Sequence, residues 1–417
     1  MKIQSLTVEN FRCFSKMTFT AHERFNLFIG VNGTGKTSVL EALRIASGAL
    51  FMEMGSLPRL RLYTPHIKLE DVRLEHLEQQ FPVVVGARGR IFASVEEIVW
   101  ERTLAKPSGR TTTVNAKKMK KASEYAKHLA QRGDQTIALP LVAYFSTERY
   151  KREKSDLGME AAGSRLRGYY HAMDIQTNMQ FFKNLFRTEA FAEQQEGKPS
   201  AMVQAVQRAA TRCIAGCQGI RHNIRRDMLT AMMNNGEEIP FEMLSDGIRS
   251  MLAMVMEIAL RACLLNPWLL ERAAEETPGV ILIDELDLHL HPAWQRRIIA
   301  DLCATFPKIQ FFATTHSPVI VGSLSSRDGA LFALDEYQVR PIATAFGRDA
   351  NSVLVSMGST ERHPDVEETL RRYFLHIEVG EGTSAEARLL RSELDALLGA
   401  DSPDMQRANA MLSFFEG

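Results

Sequence analysis

Gly30-Val31-Asn32-Gly33-Thr34-Gly35-Lys36-Thr37 obeys the spacing G-x-x-x-x-G-K-T, and it lies where an apolar run, RFNLFIG, meets a helix-like one, SVLEALRIASGAL. That setting suits phosphate. Glycines let backbone N–H groups close around an anion, the helix N-terminus adds positive potential, Lys36 reaches the β and γ phosphates, and the Thr37 hydroxyl can ligate Mg2+. A second stretch, VILIDE, carries Asp284 and Glu285 to the C-terminal end of an apolar strand, the end at which open parallel sheets place their ligands. Asp284 would complete the Mg2+ shell and Glu285 would polarise an attacking water. Acids ending an apolar strand often do no more than cap a helix; their place after a phosphate loop in the same chain favours catalysis.

One strand later FFATTHSP carries His316 at its end, followed only by Ser317 and Pro318, where it could meet a γ-phosphate from the neighbouring strand. The spacing of His289 and His291 in LDLHLHP would suit a metal, but a polar turn beside the nucleotide is the expected reading. A fourth stretch, Leu244-Ser245-Asp246-Gly247, starts a long apolar helix pattern. A helix N-terminus is an anion site, so Ser245 could face a phosphate; Ser245 or Asp246 could equally cap the helix for stability alone.

These residues need elements to hold them. IQSLTVENF and MTFTA read as strands, RFNLFIG as a buried strand, and FPVVVGARGRIFASVEEIVWERTL as a β-hairpin of a small antiparallel lobe. AKKMKKASEYAKHLAQRG reads as a Lys-rich helix and ALPLVAYFS as a buried strand. From about Arg165 to Met233 apolar residues recur at three- and four-residue steps, which predicts a helical insertion. GVILIDEL, PAWQRRIIADLCATF and IQFFATTH then alternate strand, helix, strand, as in a parallel sheet with crossover helices. Three further helices are predicted from DVEETLRRYFLHI, SAEARLLRSELDALLG and DMQRANAMLSFFE. The pattern shows no internal repeat and no coiled-coil arm.

Composition excludes little beyond a membrane span. With 417 residues, 45% hydrophobic and 24% charged, the chain can bury a sizeable core; 50 basic and 50 acidic residues give no global field for nucleic acid, leaving only local basic stretches, AKKMKK, RYKREK and IRHNIRR. Solvated faces are the commoner explanation of such runs. The five cysteines lack metal or disulfide spacing and read as reduced core thiols. No apolar run is long enough to span a bilayer, and a cytoplasmic location is expected.

The order GVNGTGKT, LSDGIRS, VILIDELDLHLHP and TTHSP resembles the ABC-type ATPase superfamily, in the branch related to RecF and the structural-maintenance-of-chromosomes proteins. The resemblance covers most of the chain. It implies an α/β fold: a P-loop NTPase head of ABC type with an antiparallel β lobe, a helical insertion and a C-terminal helical tail. The implied division is 1–164 for the first part of the head, 165–238 for the insertion, 239–345 for the rest of the head and 346–417 for the tail. It further implies that two heads dimerise head to tail, with higher homo-oligomers built on that unit. Ser245 and Gly247 would then act on the nucleotide of the other copy, and Asp287 would lie in the loop crossing the interface.

The nucleotide set implied is Gly30, Asn32, Gly33, Thr34, Gly35, Lys36, Thr37 and Ser38, with Arg12 of ENFRCF near the phosphates; ATP and Mg2+ are the ligands, the metal being held by Thr37 and Asp284. The signature reads Ser-Asp-Gly where transporters have Ser-Gly-Gly, as is usual in RecF-like and overcoming-lysogenisation-defect-like ATPases. The lobe-coupling Gln is not identifiable; LVAYFSTERYK occupies its region. Softer motifs, LPLVAYFSTERY, GYYHAM and AFGRDANSVLVSMGSTERHPDVEE, are similar to those of virulence-associated ATPases and of the Septu antiphage system, whose ATPases pair with a separate HNH endonuclease. This chain has no HNH motif. The expected function is the ATPase subunit of a defence complex that senses or handles DNA and controls a separate nuclease; the alternative is a RecF-like repair ATPase, with a transporter subunit disfavoured by the signature, the insertion and the tail.

Overall fold

A computed structural model describes residues 1–54, 62–92, 96–148, 164–175, 179–348, 352–353 and 363–416. The chain forms two compact units, Met1–Val353 and Leu354–Gly417.

In the first unit β1 (Lys2–Phe11) pairs antiparallel with β2 (Phe14–Thr20), and β3 (Phe25–Ile29), buried along its whole length, runs into the Gly-rich loop and α1 (Lys36–Gly48). β4 (Leu74–Glu75) and β5 (Glu78–Gln79) make a short ladder. The predicted hairpin is present as β6 (Val83–Arg90) and β7 (Ile98–Leu104); β6 also pairs with β1, giving a four-stranded antiparallel sheet in the order β2-β1-β6-β7. Trp100, fully buried, donates its indole N–H to Ala46 O at 2.9 Å and fastens this lobe to α1. The Lys-rich α2 (Lys117–Gln131) turns its charge outward, where Lys118 pairs with Glu96 at 2.9 Å and Lys120 with Glu53 at 3.1 Å.

β8 (Leu141–Phe145) is buried throughout. α3 (Met179–Glu196) and α4 (Ala201–Cys213) follow, as the helical periodicity predicts. Residues 217–240 differ from that expectation: β9 (Cys217–Asn223), β10 (Met228–Met233) and β11 (Glu238–Pro240) form a three-stranded antiparallel sheet in the order β11-β10-β9. The cause is a degenerate period. Ile220, Ile224, Met228 and Met232 recur every four residues, a step that returns to one face of a helix and equally to one face of a strand. Asn223–Asp227 and Asn234-Asn235-Gly236 are the turns that decide for strands.

α5 (Asp246–Leu265) is apolar nearly all round and buried over most of its length. After α6 (Ala273–Glu276) comes β12 (Gly279–Ile283). The single helix expected over 292–306 is two, α7 (Pro292–Gln295) and α8 (Ile298–Thr305), broken at Arg296-Arg297, where the polar run supplies no apolar side chain to pack. β13 (Ile309–Thr314), α9 (Pro318–Ser323) and a hairpin of β14 (Gly329–Asp335) and β15 (Gln338–Ile342) complete the unit; sequence periodicity gave no sign of that hairpin. The six-stranded sheet runs β15-β14-β3-β13-β12-β8, parallel except at β15. Its central strands are buried on both faces, as parallel sheets covered by helices require.

The second unit contains α10 (Pro364–Glu378), α11 (Ala385–Leu398) and α12 (Pro403–Glu416), closed around Leu370, Tyr373, Ile377, Leu390, Leu394 and Met405.

Candidate active site

β3 ends in a loop wedged between its neighbours. Gly35 has φ 103°, and a Cβ there would lie 2.6 Å from Cys13 Sγ and 2.7 Å from Phe14 Cζ, so only glycine fits where the β1–β2 turn presses on the start of α1. Lys36 curls back over the loop, its ammonium donating to Gly30 O at 2.7 Å and Val31 O at 3.0 Å. Burial lowers its pKa, an effect opposed by the nearby carboxylates of Asp284, Glu285 and Asp287. Val31, Asn32 and Gly33 form the exposed tip, and the Thr34 hydroxyl donates to Val31 O at 2.8 Å.

Two strands away β12 delivers its acids. Asp284 is 4% exposed; one carboxylate oxygen accepts from the Thr37 hydroxyl at 3.2 Å and the other from the Thr314 hydroxyl at 2.6 Å. The Glu285 N–H donates to the same Thr314 hydroxyl at 2.8 Å, and Glu285 takes a positive φ of 49°. Asp287 accepts from the Thr315 hydroxyl at 2.5 Å and from the His316 N–H at 3.2 Å. The end of β13 is thus a rack for the end of β12. The sequence points to His316 and not to Thr314 or Thr315; their signal is the pair of hydroxyls directly before it, on a strand whose parallel register sets Ala313 opposite Ile283.

The structure therefore gathers Lys36, Thr37, Asp284, Glu285, Asp287 and His316 at one end of the sheet. Thr37 and Asp284 offer two oxygens, which fits Mg2+: that ion takes one or two protein oxygens and completes its octahedron with phosphates and water. Arg12 is in the β1–β2 turn beside the loop, its guanidinium donating to Asp71 at 2.8 Å. Ser38 is half-buried on the first turn of α1.

The Ser-Asp-Gly turn lies at the start of α5. Ser245 is the N-cap residue, yet its hydroxyl makes no capping bond, and Asp246 is exposed and paired with Arg249. Gly247 is buried: a Cβ there would come within 2.4 Å of His289 O, so this turn packs directly on the loop that follows the acids. His291 accepts from Ala293 N at 3.2 Å and caps α7. Among the described residues no group of three or more His, Cys, Asp or Glu side chains gathers to hold a metal.

Two family models match the chain, an AAA domain over residues 5–209 and an AAA domain of the putative AbiEii toxin, type IV toxin–antitoxin kind over residues 130–322. Together they span the phosphate loop, the acids and His316. The chain is an ABC-type ATPase. It is 23% identical to the Retron Vc95 probable ATPase of Vibrio cholerae, over 87% of this chain and 80% of that one. It is 26% identical to the Septu protein PtuA of Bacillus thuringiensis, over 80% and 76%. Among solved structures the SMC head domain from Thermotoga maritima covers 82% of this chain and 100% of its own at 12% identity, with a TM-score of 0.47. No helix among the described residues is long and apolar enough to cross a membrane.

In this ATPase one segment, residues 164–174, touches both α1, which follows the phosphate loop, and α5, which begins at the Ser-Asp-Gly turn. Arg44 of α1, ion-paired with Glu41 at 2.8 Å, donates to Met173 O at 2.8 Å. Arg261 of α5, ion-paired with Glu257 at 2.6 Å, donates to Gly168 O at 2.8 Å and Tyr170 O at 2.9 Å. The same segment gives Ala172 O to Tyr144 N of β8 at 2.8 Å. The region assigned to the lobe-coupling Gln is described only as far as Glu148, whose N–H donates to Ser146 Oγ at 3.0 Å; RYKREK lies outside the described residues.

Proposed function

We propose that this ATPase is the ATP-hydrolysing subunit of an antiphage defence complex in the cytoplasm, acting as a head-to-tail homodimer that handles DNA and governs a separate effector nuclease. One observation carries the hydrolytic part: Thr37 of the phosphate loop and Asp284 at the end of β12, two strands away, meet at 3.2 Å, with Glu285 next in the chain. The two oxygens would hold Mg2+ with the nucleotide, where it neutralises charge on the β and γ phosphates. Lys36 would exchange the Gly30 and Val31 carbonyls for phosphate oxygens, and the loop N–H groups would cradle the rest. Glu285 would orient water for in-line attack, while His316, at the end of the intervening strand, would contact the γ-phosphate.

Exposure at the Ser-Asp-Gly turn supports the dimer. Ser245 spends no hydroxyl bond on its own helix and stands at the surface, which suits a phosphate bound by another copy. Gly247 and Asp287 would line the same junction. The defence role is supported by relatedness over most of the chain to a retron ATPase and to PtuA.

The test is turnover and partner analysis together. Glu285→Gln should bind ATP normally, lower turnover at least about 100-fold, and trap the closed dimer; equal rates would remove Glu285 from its role. Native purification from the host should bring down a nuclease, and a preparation with no nuclease or other effector would overturn the defence assignment.

A further inference from the structure

Of the basic stretches, AKKMKK is half neutralised where it stands: two of its four lysines, Lys118 and Lys120, have a carboxylate partner. The stretch IRHNIRR is built differently. It forms the end of β9 and the turn into β10, and it projects from the sheet between two concavities. The larger, about 710 Å3, lies between α3, α4 and this turn and is lined by Phe186, Gln194, Gln207, Arg221 and Arg225 among others. The smaller, about 290 Å3, lies on the other side, walled by Arg225, Arg226, Thr230 and Glu238. Asn223 and Arg225 belong to both, so the two concavities flank one turn.

Charge is distributed unevenly over this feature. Asp227 is engaged by Arg187 at 3.0 Å and His222 at 3.0 Å, and Glu238 by Arg221 at 3.4 Å. Glu193 also lines the larger concavity. Arg225 and Arg226 are exposed and make no ion pair among the described residues. An aromatic edge stands beside His222 near the end of β9: Phe191 is 38% exposed, with its ring 5.7 Å from that of His222 and the Arg187 guanidinium 5.6 Å from its face.

We infer that the β9–β10 turn is a binding site for single-stranded nucleic acid, with Arg225 and Arg226 on successive phosphates and the larger concavity receiving an unstacked base. This rests on the proposal that the complex handles DNA and names the form it takes. Unpaired arginines attract a phosphate backbone, flat side chains accept bases, and the larger cavity is within the ~300–1,000 Å3 typical of small-ligand pockets. A duplex keeps its bases stacked and cannot fill it. The position also gives binding a route to catalysis: β11, paired along β10, ends at Pro240, five residues before Ser245, so a phosphate held by Arg226 ahead of β10 sits on the strand pair that leads into the Ser-Asp-Gly turn.

The experiment measures anisotropy of a fluorescein-labelled oligo-dT of about 20 nucleotides with the full chain across a salt series, alongside ATP turnover without oligonucleotide. Arg225→Glu/Arg226→Glu should weaken binding at least about tenfold and flatten the log–log salt slope by about 1.4, two phosphate contacts at ~0.7 each. Turnover without oligonucleotide should stay within about twofold of the parent. Phe191→Ala should weaken binding with the slope unchanged, and Lys118→Glu/Lys120→Glu should bind like the parent. Unaltered affinity in the double arginine variant, or equal affinity of the parent for a duplex of the same length, would overturn the inference. A parent protein that hydrolyses ATP yet binds no oligonucleotide would overturn it too, while leaving the ATPase reading intact; a parent that fails to hydrolyse ATP but binds in this pattern would count against that reading alone.

Discussion

The Thr314 hydroxyl donates to Asp284 at 2.6 Å and accepts from the Glu285 N–H at 2.8 Å, so a single side chain fixes both the carboxylate that faces Thr37 and the backbone from which Glu285 projects. Replacing it with valine keeps the shape and removes one hydrogen bond from the buried Asp284 carboxylate and one from the half-buried Glu285 N–H, at a cost of about 1–3 kcal/mol in all. Thr314→Val should therefore raise the Mg2+ concentration needed for half-maximal turnover and lower kcat together, while Thr314→Ser retains both; Mg2+ titration of the ATPase rate separates the variants. A Thr314→Val enzyme with the parent's Mg2+ dependence would show that the rack is dispensable. Lys36, Thr37, Asp284, Glu285 and His316 were legible because chemistry dictates their types and spacing. Thr314 and Thr315 were not, since a hydroxyl's task depends on which acid the sheet sets opposite it.

Elements were legible in proportion to how unambiguous their period is. FNLFI, GVILI and IQFFAT are uninterrupted apolar runs and became the central parallel strands, whereas the four-residue recurrence through Ile220, Ile224, Met228 and Met232 misled because it satisfies both periods. What periodicity cannot display is the join between elements. Glu257 and Arg261 are buried inside α5, and Arg261 spends its remaining donors on the Ser164–Asp174 segment. Burial pushes the Glu257 carboxyl up, against the pull of Arg261. Removing the arginine strands that acid and the carbonyls at once, a loss of about 3–5 kcal/mol for a broken buried pair. Arg261→Met should lower the melting temperature by several degrees in scanning fluorimetry and uncouple ATP binding from head closure, with nucleotide affinity retained. A variant melting like the parent would show that the segment carries no load between α1 and α5.

At the scale of the whole molecule the decisive matter is whether Ser245 serves a phosphate bound by another copy. Within one chain Gly247 packs on His289 O, which ties the signature turn to the loop after the acids, yet Ser245 remains exposed with its hydroxyl uncommitted. Ser245→Arg should accordingly leave nucleotide affinity and thermal stability near the parent's and abolish the ATP-induced rise in mass seen by light scattering. Mixing variants separates service to the partner's nucleotide from service to the chain's own. A Ser245→Arg chain keeps its phosphate loop, and a Lys36→Ala chain keeps its signature turn, so a mixed head-to-tail dimer assembles one intact site and one doubly defective site. Each variant alone should be inactive, and an equimolar mixture should recover turnover, up to about a quarter of the parent's, since half the dimers are mixed and each carries one working site. Were both residues to serve the nucleotide of their own chain, mixing would restore nothing, because no dimer of these chains would then contain a complete site.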